Sequence, residues 1–309
     1  MEYKTNSKEI KNQITSTFDD VSDRYDENRF FFISAHRMVE FLPVDDVNRI
    51  LDISAGTGIV TIELAEKYPH AQIDAVDLSQ GMLQRARTKA DRKGINNIKF
   101  IQGDAECLPY KKIDFDIITY GYGLFFYPEM KYTYQALCKI IKHGGVFIFS
   151  SFTSDSFSPY ADVFLERLEK DYKIETPKSS RKRLKTTQQI EELALSSKPL
   201  KVEVKYCPIR YPITTMEWWS LLNNAGYKIL LGKLSEEEFI QFKKSHLKEI
   251  ESITMDGNLE LNADSYFGLV NFKDQSSAFL TISSIIFSQI KLNSLSSMAI
   301  LRCRSLQPK

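Results

Sequence analysis

From about residue 49, short runs rich in β-branched residues alternate with segments of helical character. This alternation is typical of a parallel sheet wrapped by helices, because parallel strands need helix-length crossover connections. The pattern therefore predicts an α/β fold, with strands over 49–53, 72–76, 98–102, 115–119 and 146–151 and helices over 60–67, 80–93 and 130–141. The last of these helices is expected to end at the glycine pair 144–145, where glycine can adopt a left-handed C-cap.

Beyond residue 152 the alternation weakens. The pattern there predicts helices over 159–173 and 236–252 and strands over 201–207 and 265–272, with a basic surface linker over 177–186. Residues 274–309 are rich in serine with apolar clusters and fit no periodic template.

Charge and cysteine usage exclude several classes of protein. The chain has 41 basic and 40 acidic residues, a net charge of +1, so its charge does not predict a nucleic-acid partner. Its four cysteines form no CxxC pair, which favours a reduced, cytoplasmic protein without a zinc site. The polar amino terminus predicts no secretory signal, and the uncharged stretch 275–290 is shorter than the roughly 20 apolar residues of a membrane span.

The turn after the first strand, LDISAGTG (51–58), is the first candidate ligand site. Gly56 and Gly58 allow backbone conformations closed to other residues and a close approach to a ligand. The helix that follows offers free N–H groups and a positive dipole end to an anionic group. On its own the turn leaves open a dinucleotide pyrophosphate, an amino-acid carboxylate or no ligand at all.

Three aspartates near strand ends narrow the choice. Asp77 ends the second strand, where a carboxylate can accept hydrogen bonds from both hydroxyls of a ribose. Asp52 would repel a pyrophosphate but suits the ammonium and sulfonium groups of S-adenosylmethionine. Asp104, after the third strand, could accept from the exocyclic amine of adenine, and Thr61 stands where a dinucleotide motif needs a small residue. We therefore favour S-adenosylmethionine, with an NAD-dependent oxidoreductase or a non-catalytic S-adenosylmethionine-binding protein as alternatives.

At this point the chain resembles a known family. Five segments resemble motifs of class I S-adenosylmethionine-dependent methyltransferases: LDISAGTG (51–58), AVDLSQGML (75–83), GDAECLP (103–109), FDIIT (115–119) and GGVFIFSSF (144–152). The segments FDDVSDRYDEN (18–28) and SAHR (34–37) resemble the entrance of the UbiE-like ubiquinone/menaquinone C-methyltransferases, and SYFGLVNFK (265–273) looks like a strand of natural-product methyltransferases.

The chain departs from the quinone enzymes at three places. Ser54 stands where the family commonly has glycine, and we expect it to fit a turn with a negative φ. IIKHGG (140–145) replaces a Lys-Pro-Gly-Gly motif, and one residue fewer separates Asp26 from Asn28 than in the YDxMN motif. The last two departures put quinone specificity in doubt.

The resemblance implies a fold, a cofactor and a set of cofactor contacts. The fold is a Rossmann-like, seven-stranded, mostly parallel sheet flanked by helices, with a helical cap over the active site. The implied units are a helical entrance segment (1–45), a cofactor-binding core (46–152), the rest of the core with the substrate cap (153–273) and a tail of unknown role (274–309). The implied contacts with S-adenosylmethionine are Asp52, Ser54, Gly56, Gly58 and the Tyr120 backbone around the methionine end, Tyr25 closing over that end, Asp77 at the ribose, and Leu78, Met82, Asp104 and Ala105 at the adenine.

Methyl transfer is an in-line displacement at a carbon that is already activated, so alignment and desolvation are the main tasks of the enzyme. His36, in the entrance segment, is the candidate base or positioning group, with a helix-surface histidine as the alternative. Tyr122, as a candidate catalytic group, and Phe125 follow the fourth strand, where aromatic rings could hold a planar acceptor or simply pack. Trp218 could line the same pocket. A small lipophilic or aromatic molecule is the expected acceptor.

We predict that Asp77→Ala weakens binding of S-adenosylhomocysteine by about 2–4 kcal/mol. The variant removes hydrogen bonds to a charged group worth about 1.5–3 kcal/mol each, which water replaces in part. Isothermal titration calorimetry measures the loss, and unchanged affinity would remove Asp77 from the site.

Overall fold

The computed structural model describes residues 2–43, 46–110, 114–176, 183–254 and 258–272. Helices and strands alternate through the first half, and a more helical region follows. In chain order the elements are α1 (Glu2–Val21), α2 (Phe30–Glu40), β1 (Arg49–Ile53), α3 (Ile59–Lys67), β2 (Gln72–Asp77), α4 (Gln80–Lys93), β3 (Ile98–Gln102), β4 (Phe115–Tyr120), α5 (Met130–Cys138), β5 (Ile141–Phe152), α6 (Tyr160–Asp171), α7 (Thr187–Leu195), β6 (Lys201–Cys207), β7 (Arg210–Thr214), α8 (Thr215–Asn223), α9 (Lys228–Leu231), α10 (Glu236–Ser252), β8 (Asn258–Asn262) and β9 (Ser265–Asn271).

The main sheet has seven strands in the order β3-β2-β1-β4-β5-β9-β6. Strands β1 to β5 pair in parallel, and β9 runs antiparallel to both of its neighbours, β5 and β6. This confirms the predicted α/β fold with a seven-stranded, mostly parallel sheet. Because the strand order reverses between β1 and β4, a crevice opens at the carboxyl ends of these strands, the usual ligand position in such sheets.

Two adjoining predicted boundaries are wrong, the end of the helix predicted over 130–141 and the start of the strand predicted over 146–151. Helix α5 ends at Cys138 and not at residue 141, and β5 begins at Ile141, five residues earlier than the predicted strand. Ile141 already pairs with Phe115 of β4, so the chain has entered the sheet before the glycine pair. Gly144, with φ +82°, therefore lies inside the strand, near a register shift against β4, and does not cap a helix.

The predicted amphipathic helix over 236–252 is confirmed as α10. It begins with a capping box of Ser235 and Glu238, which satisfies free N–H groups at the helix start. Phe242, His246 and Ile250 recur at four-residue intervals and form its buried face, which packs on α6 and α8. These helices form a layer beside the sheet. Residues 177–182 of the predicted basic linker and the tail from 273 onward lie outside the described residues.

Among the described helices, none combines the length and apolar character that crossing a membrane requires.

A buried hydrogen bond joins α8 to α10. Trp218 and His246 are both fully buried, and the Trp218 Nε1–H donates to His246 Nε2 over 3.0 Å. Since Nε2 accepts this bond, the neutral imidazole carries its hydrogen on Nδ1, which has no partner among the described residues. Burial lowers the pKa of His246 to about 4, with the charge of Arg167 as a second cause.

We predict that this histidine makes the fold sensitive to acid. A folded-state pKa below the usual value of about 6.5 favours the neutral form, so its contribution is complete above pH 6.5 and is lost as the pH falls toward 4. The full loss is about 3 kcal/mol of unfolding free energy. Urea unfolding at pH 7 and pH 4.5 should show a smaller pH effect in His246→Gln, which keeps an acceptor for Trp218.

His36→Gln is the matched control, because the side chain of His36 is 61% exposed. It should retain the wild-type pH dependence. An equal pH effect in wild type and His246→Gln would contradict the assignment.

Candidate functional site

Two cavities meet at the carboxyl edge of β1, β2 and β4. The larger, of about 800 Å³ including its open mouth, lies between α1 and the start of α4, and we name it the α4-side cavity. The smaller, of about 460 Å³, lies against α2, and we name it the α2-side cavity. The residues that line both cavities, and so mark their junction, are Tyr25, Ser54, Gly56, Gly121 and Tyr122.

Asp77 organises the α4-side cavity. It ends β2, and its two carboxylate oxygens accept hydrogen bonds from the backbone N–H groups of Gly56 and Ser79, each at 2.8 Å. Burial raises the pKa of the Asp77 carboxyl, while these two N–H groups act to lower it. Each oxygen keeps a second lone pair, so the carboxylate can accept further hydrogen bonds from a ligand. Leu78, Met82 and Ala105 line the same cavity.

Asp52 contributes a buried carboxylate to the α2-side cavity. Asp52 lies near the end of β1, just before the glycine turn, and is 1% exposed. Its carboxylate accepts hydrogen bonds from Thr61 Oγ1 at 2.5 Å and Thr119 Oγ1 at 2.7 Å. Burial raises the pKa of Asp52 to about 6, even though both hydroxyls stabilise the charged form. Its partners among the described residues are these two hydroxyls and no cation, so a bound cation would be stabilised here. Sequence reasoning did not identify the role of Thr61.

The turn after β1 differs from expectation at one residue. Ser54 has φ +54°, so the expected negative φ is wrong. Only glycine adopts this left-handed conformation without cost, which explains why glycine suits this position. The Ser54 side chain also lies close to the loop after β4, where a Cβ at Gly123 would come within 2.6 Å of Ser54 Oγ and 2.5 Å of the Tyr120 ring. Position 123 therefore needs glycine.

Gly58 has a packing role. Its φ is +79°, and a Cβ built there would lie 2.8 Å from the Cβ of Ala86. It thus lets α3 approach α4 closely, and it lies outside the lining of both cavities, whereas Gly56 lines both.

Helix α1 closes the α4-side cavity. Lys11, Thr15 and Phe18 follow helical spacing and line it. These contacts were not predicted, although apolar residues at 10, 14, 18 and 21 recur at the spacing of an amphipathic helix. The predicted entrance segment thus contains α1 and α2.

Three aspartates attach this entrance segment to one face of α4. Asp19 accepts hydrogen bonds from the Ser79 hydroxyl at 2.5 Å and the Gly81 N–H at 2.8 Å. The next two carboxylates pair with cations one and two turns further along α4: Asp23 with Arg85, and Asp26 with Lys89 at 2.7 Å. Asp26 also accepts from the Thr57 hydroxyl at 2.5 Å, which ties the segment to the turn after β1.

Asp104 is already paired. One of its oxygens accepts from the Glu106 N–H at 3.0 Å and the other lies 2.6 Å from Lys11 Nζ, which also pairs with Glu106. Its neighbours Gly103 and Ala105 line the α4-side cavity, but Asp104 itself does not. A ligand amine that approached Asp104 would compete with Lys11 for the carboxylate.

Aromatic rings border the junction of the cavities. Tyr25 stacks on Phe31 with ring centroids 4.6 Å apart, and Tyr122 stacks on Phe152 at 4.2 Å. Burial raises the pKa of both Tyr25 and Tyr122 well above the ordinary tyrosine value. Both side chains therefore stay protonated near neutral pH.

Six residues that the sequence assigned to the site do not line either cavity: Gly58 and Asp104, described above, and His36, Trp218, Tyr120 and Phe125. The His36 side chain is 61% exposed and lies beside Glu40 and Glu63. Trp218 is buried against α10, because its indole bonds to His246. The ring of Tyr120 is buried in the core, while the predicted contact of its backbone stays a prediction. Phe125 packs on Phe126, which lines the α4-side cavity in its place.

The described part of the chain contains no group of three or more His, Cys, Asp or Glu side chains that could hold a metal ion.

The first half of the chain is similar to proteins of one methyltransferase family. The model of the ubiE/COQ5 methyltransferase family matches residues 4–167, just over half of the chain. A demethylmenaquinone methyltransferase of Renibacterium salmoninarum is 33% identical over 164 residues, which cover 50% of this chain and 65% of that protein. The aklanonic acid methyltransferase DauC of a Streptomyces species is 31% identical over 144 residues, 46% of this chain and 66% of the relative. The chain thus spans less than two thirds of the length of these curated relatives.

Solved structures agree on the fold. The YcgJ protein of Bacillus subtilis superposes with a TM-score of 0.52 at 20% identity, over 78% of this chain and 98% of that one. At this identity the likeness shows a shared fold alone.

We predict that Gly123→Ala destabilises the protein by about 1–3 kcal/mol, the usual cost of forcing atoms into a filled space. Gly121→Ala is the matched control in the same loop, because a Cβ there meets its nearest neighbour at 3.7 Å. Urea unfolding of both variants measures the difference. Equal stability of the two would show that Ser54 and the loop after β4 are not in close contact.

Proposed function

The chain belongs to the ubiE/COQ5 methyltransferase family, and from this premise we propose that it is an S-adenosylmethionine-dependent methyltransferase acting on a small molecule. The observation that carries the proposal is the pair of buried carboxylates, Asp52 and Asp77, that flank one glycine turn and face two joined cavities. Asp52 suits a cation and Asp77 suits a diol, and S-adenosylmethionine carries both, as its ammonium group and its ribose hydroxyls.

In this proposal the adenosyl part occupies the α4-side cavity. Asp77 accepts from the ribose hydroxyls with the lone pairs that its two backbone bonds leave open. Leu78, Met82 and Ala105 provide apolar contacts for the adenine. The methionine end lies at the junction by Ser54, Gly56 and Tyr25, and Asp52 stabilises its ammonium group.

The bound cofactor would supply a methyl group on positive sulfur, ready for displacement. The side chains of the entrance segment exclude water from the site, since Phe18 and Tyr25 line the α4-side cavity and Phe31 lines the α2-side cavity. Tyr122, whose pKa is raised by burial, acts as a neutral wall or hydrogen-bonding group and not as a base. His36 has no part in the proposed reaction, because it lies on the outer surface.

The acceptor is proposed to enter the α2-side cavity. Apolar residues of α2 and α3, such as Ala35, Met38 and Ile59, line this cavity together with Phe31 and Tyr122. Relatives are named for acting on demethylmenaquinone or on aklanonic acid. We propose a planar, lipophilic or aromatic acceptor for this chain, and neither a nucleic acid nor a protein.

Two alternatives make different predictions. An NAD-dependent oxidoreductase would have to place a pyrophosphate beside Asp52, a buried carboxylate without a cation partner among the described residues. A non-catalytic S-adenosylmethionine-binding protein would keep Asp52 and Asp77 but would transfer nothing.

We also propose that the protein works in the cytoplasm, because its four cysteines form no CxxC pair and suit a reducing compartment.

The test combines binding and transfer. Calorimetry should show that S-adenosylhomocysteine binds and NADH does not. Incubation of the protein with metabolite extract and methyl-labelled S-adenosylmethionine, followed by mass spectrometry, should then identify a labelled small molecule. Asp52→Asn, which keeps the shape and removes the charge, should weaken binding of S-adenosylmethionine, and its label transfer should fall accordingly.

Two outcomes would count against the proposal. Binding of NADH in place of S-adenosylhomocysteine would favour the oxidoreductase. Binding of S-adenosylhomocysteine without label transfer to any extract component would favour the non-catalytic alternative.

A further inference from the structure

Tyr122 is held in place by contacts from three separate elements. It has φ +49°, a left-handed conformation that costs a non-glycine residue about 1–2 kcal/mol, so its surroundings must maintain it. Its backbone N–H donates to Ser150 Oγ of β5 over 3.0 Å. Its hydroxyl lies 2.7 Å from Ser34 Oγ of α2 and 2.7 Å from Ser265 Oγ of β9.

The Tyr122 hydroxyl is hydrogen-bonded to both serines. The Tyr122 hydroxyl donates its hydrogen to Ser34 Oγ and also contacts Ser265 Oγ, whose own hydrogen has the Ala263 carbonyl oxygen as an acceptor at 2.9 Å. Both serines are buried, at 1% and 0% exposure, so water does not compete for these bonds. The ring is thus fixed at its backbone and at its far end.

The faces and edges of the ring are also constrained. One face stacks on Phe152, with an angle of 18° between the rings, and Phe31 approaches at 67° with centroids 5.6 Å apart. The same ring lines both cavities, so it stands where the bound cofactor and the acceptor would meet. A wall at this point decides how a planar acceptor lies relative to the transferred methyl group.

We propose that Ser34 and Ser265 are positioning residues: they fix the Tyr122 ring as a rigid wall that aligns a planar acceptor at the junction of the two cavities. The inference rests on the proposed function. Its physical basis is that alignment is the main source of catalysis in a displacement of this kind, where a misplacement of about 1 Å can lower the rate about a hundredfold.

The chain offers a matched control for the loss of these hydroxyls. Ser151 lies beside Ser150 on β5, is fully buried, and its Oγ has no hydrogen-bond partner among the described residues. Ser151→Ala therefore removes a buried serine hydroxyl that makes no hydrogen bond to Tyr122. Tyr122→Phe keeps the ring and removes both hydroxyl bonds.

The first measurement does not need an acceptor. In protein with ring-labelled tyrosine, the relaxation of the Tyr122 signals, assigned by their absence in Tyr122→Phe, reports how far the ring axis swings. We expect a larger swing, seen as a lower order parameter, in the double variant Ser34→Ala/Ser265→Ala than in wild type and in Ser151→Ala. Equal order parameters in all three proteins would overturn the proposal.

The second measurement uses labelled S-adenosylmethionine at saturation with serial dilutions of the metabolite extract, which separates the maximal rate from the apparent KM. We expect the double variant and Tyr122→Phe to lower the maximal rate about tenfold, with an unchanged pH profile. S-adenosylhomocysteine affinity should stay within twofold of wild type, and Ser151→Ala should match wild type throughout.

A fall in cofactor affinity and thermal stability that parallels the fall in rate would indicate a merely structural role and overturn the inference. A shifted pH profile in Tyr122→Phe would do so as well, because it would make the hydroxyl a proton-transfer group. If wild type binds no S-adenosylhomocysteine and transfers no label, the proposed function fails, while the order parameters of the Tyr122 ring still decide whether the two serines fix Tyr122.

Discussion

The carboxylate of Asp77 connects two turns that form the site. With one oxygen it accepts from Gly56, in the turn after β1, and with the other from Ser79, which precedes α4. Parallel pairing brings these segments together, because β1 and β2 lie side by side and end at the same edge of the sheet. Without this carboxylate, two buried N–H groups would lose their partners and the cradle between the turns would lose its shape.

The entrance segment completes the site from outside the sheet. Its contacts with α4 are mainly electrostatic, since Asp23 and Asp26 meet cations and Asp19 meets an N–H group at the start of the helix. Lys11 of α1, which lines the α4-side cavity, also pairs with Asp104 in the loop after β3. Such partly exposed ion pairs contribute little stability each, so a ligand can exchange without unfolding the core.

Much of the fold follows from the sequence because its signals are local. The strands over 49–53 and 98–102 and the helix over 80–93 are found at the predicted bounds, since short apolar runs and a capped helix are signals contained in the local sequence. The boundary at residues 138–146 could not be found in this way. A glycine pair after a helical pattern favours a C-cap locally, but the pairing of Ile141 with Phe115 decides the outcome, and that contact is long-range.

In the candidate site, too, local sequence signals predict some residues, and long-range contacts determine the others. Asp52, Gly56 and Asp77 stand at strand ends, and the strand pattern places them together. Lys11 and the serines around Tyr122 could not be assigned, because they reach the cavities from α1, α2 and β9, and no short motif encodes those contacts. The sequence could not predict that His36 is exposed either, because helical spacing does not tell which face of α2 meets the sheet.

S-adenosylmethionine is proposed to bind with its adenosyl part in the α4-side cavity and its methionine end at the junction by Ser54, Gly56 and Tyr25. A crystal structure of the complex with S-adenosylhomocysteine tests it most directly. The account predicts ribose hydroxyls on Asp77, adenine beside Leu78 and Met82, and the amino group on the side of Asp52. Electron density for the adenosyl part outside the α4-side cavity, or a ribose that makes no contact with Asp77, would contradict it.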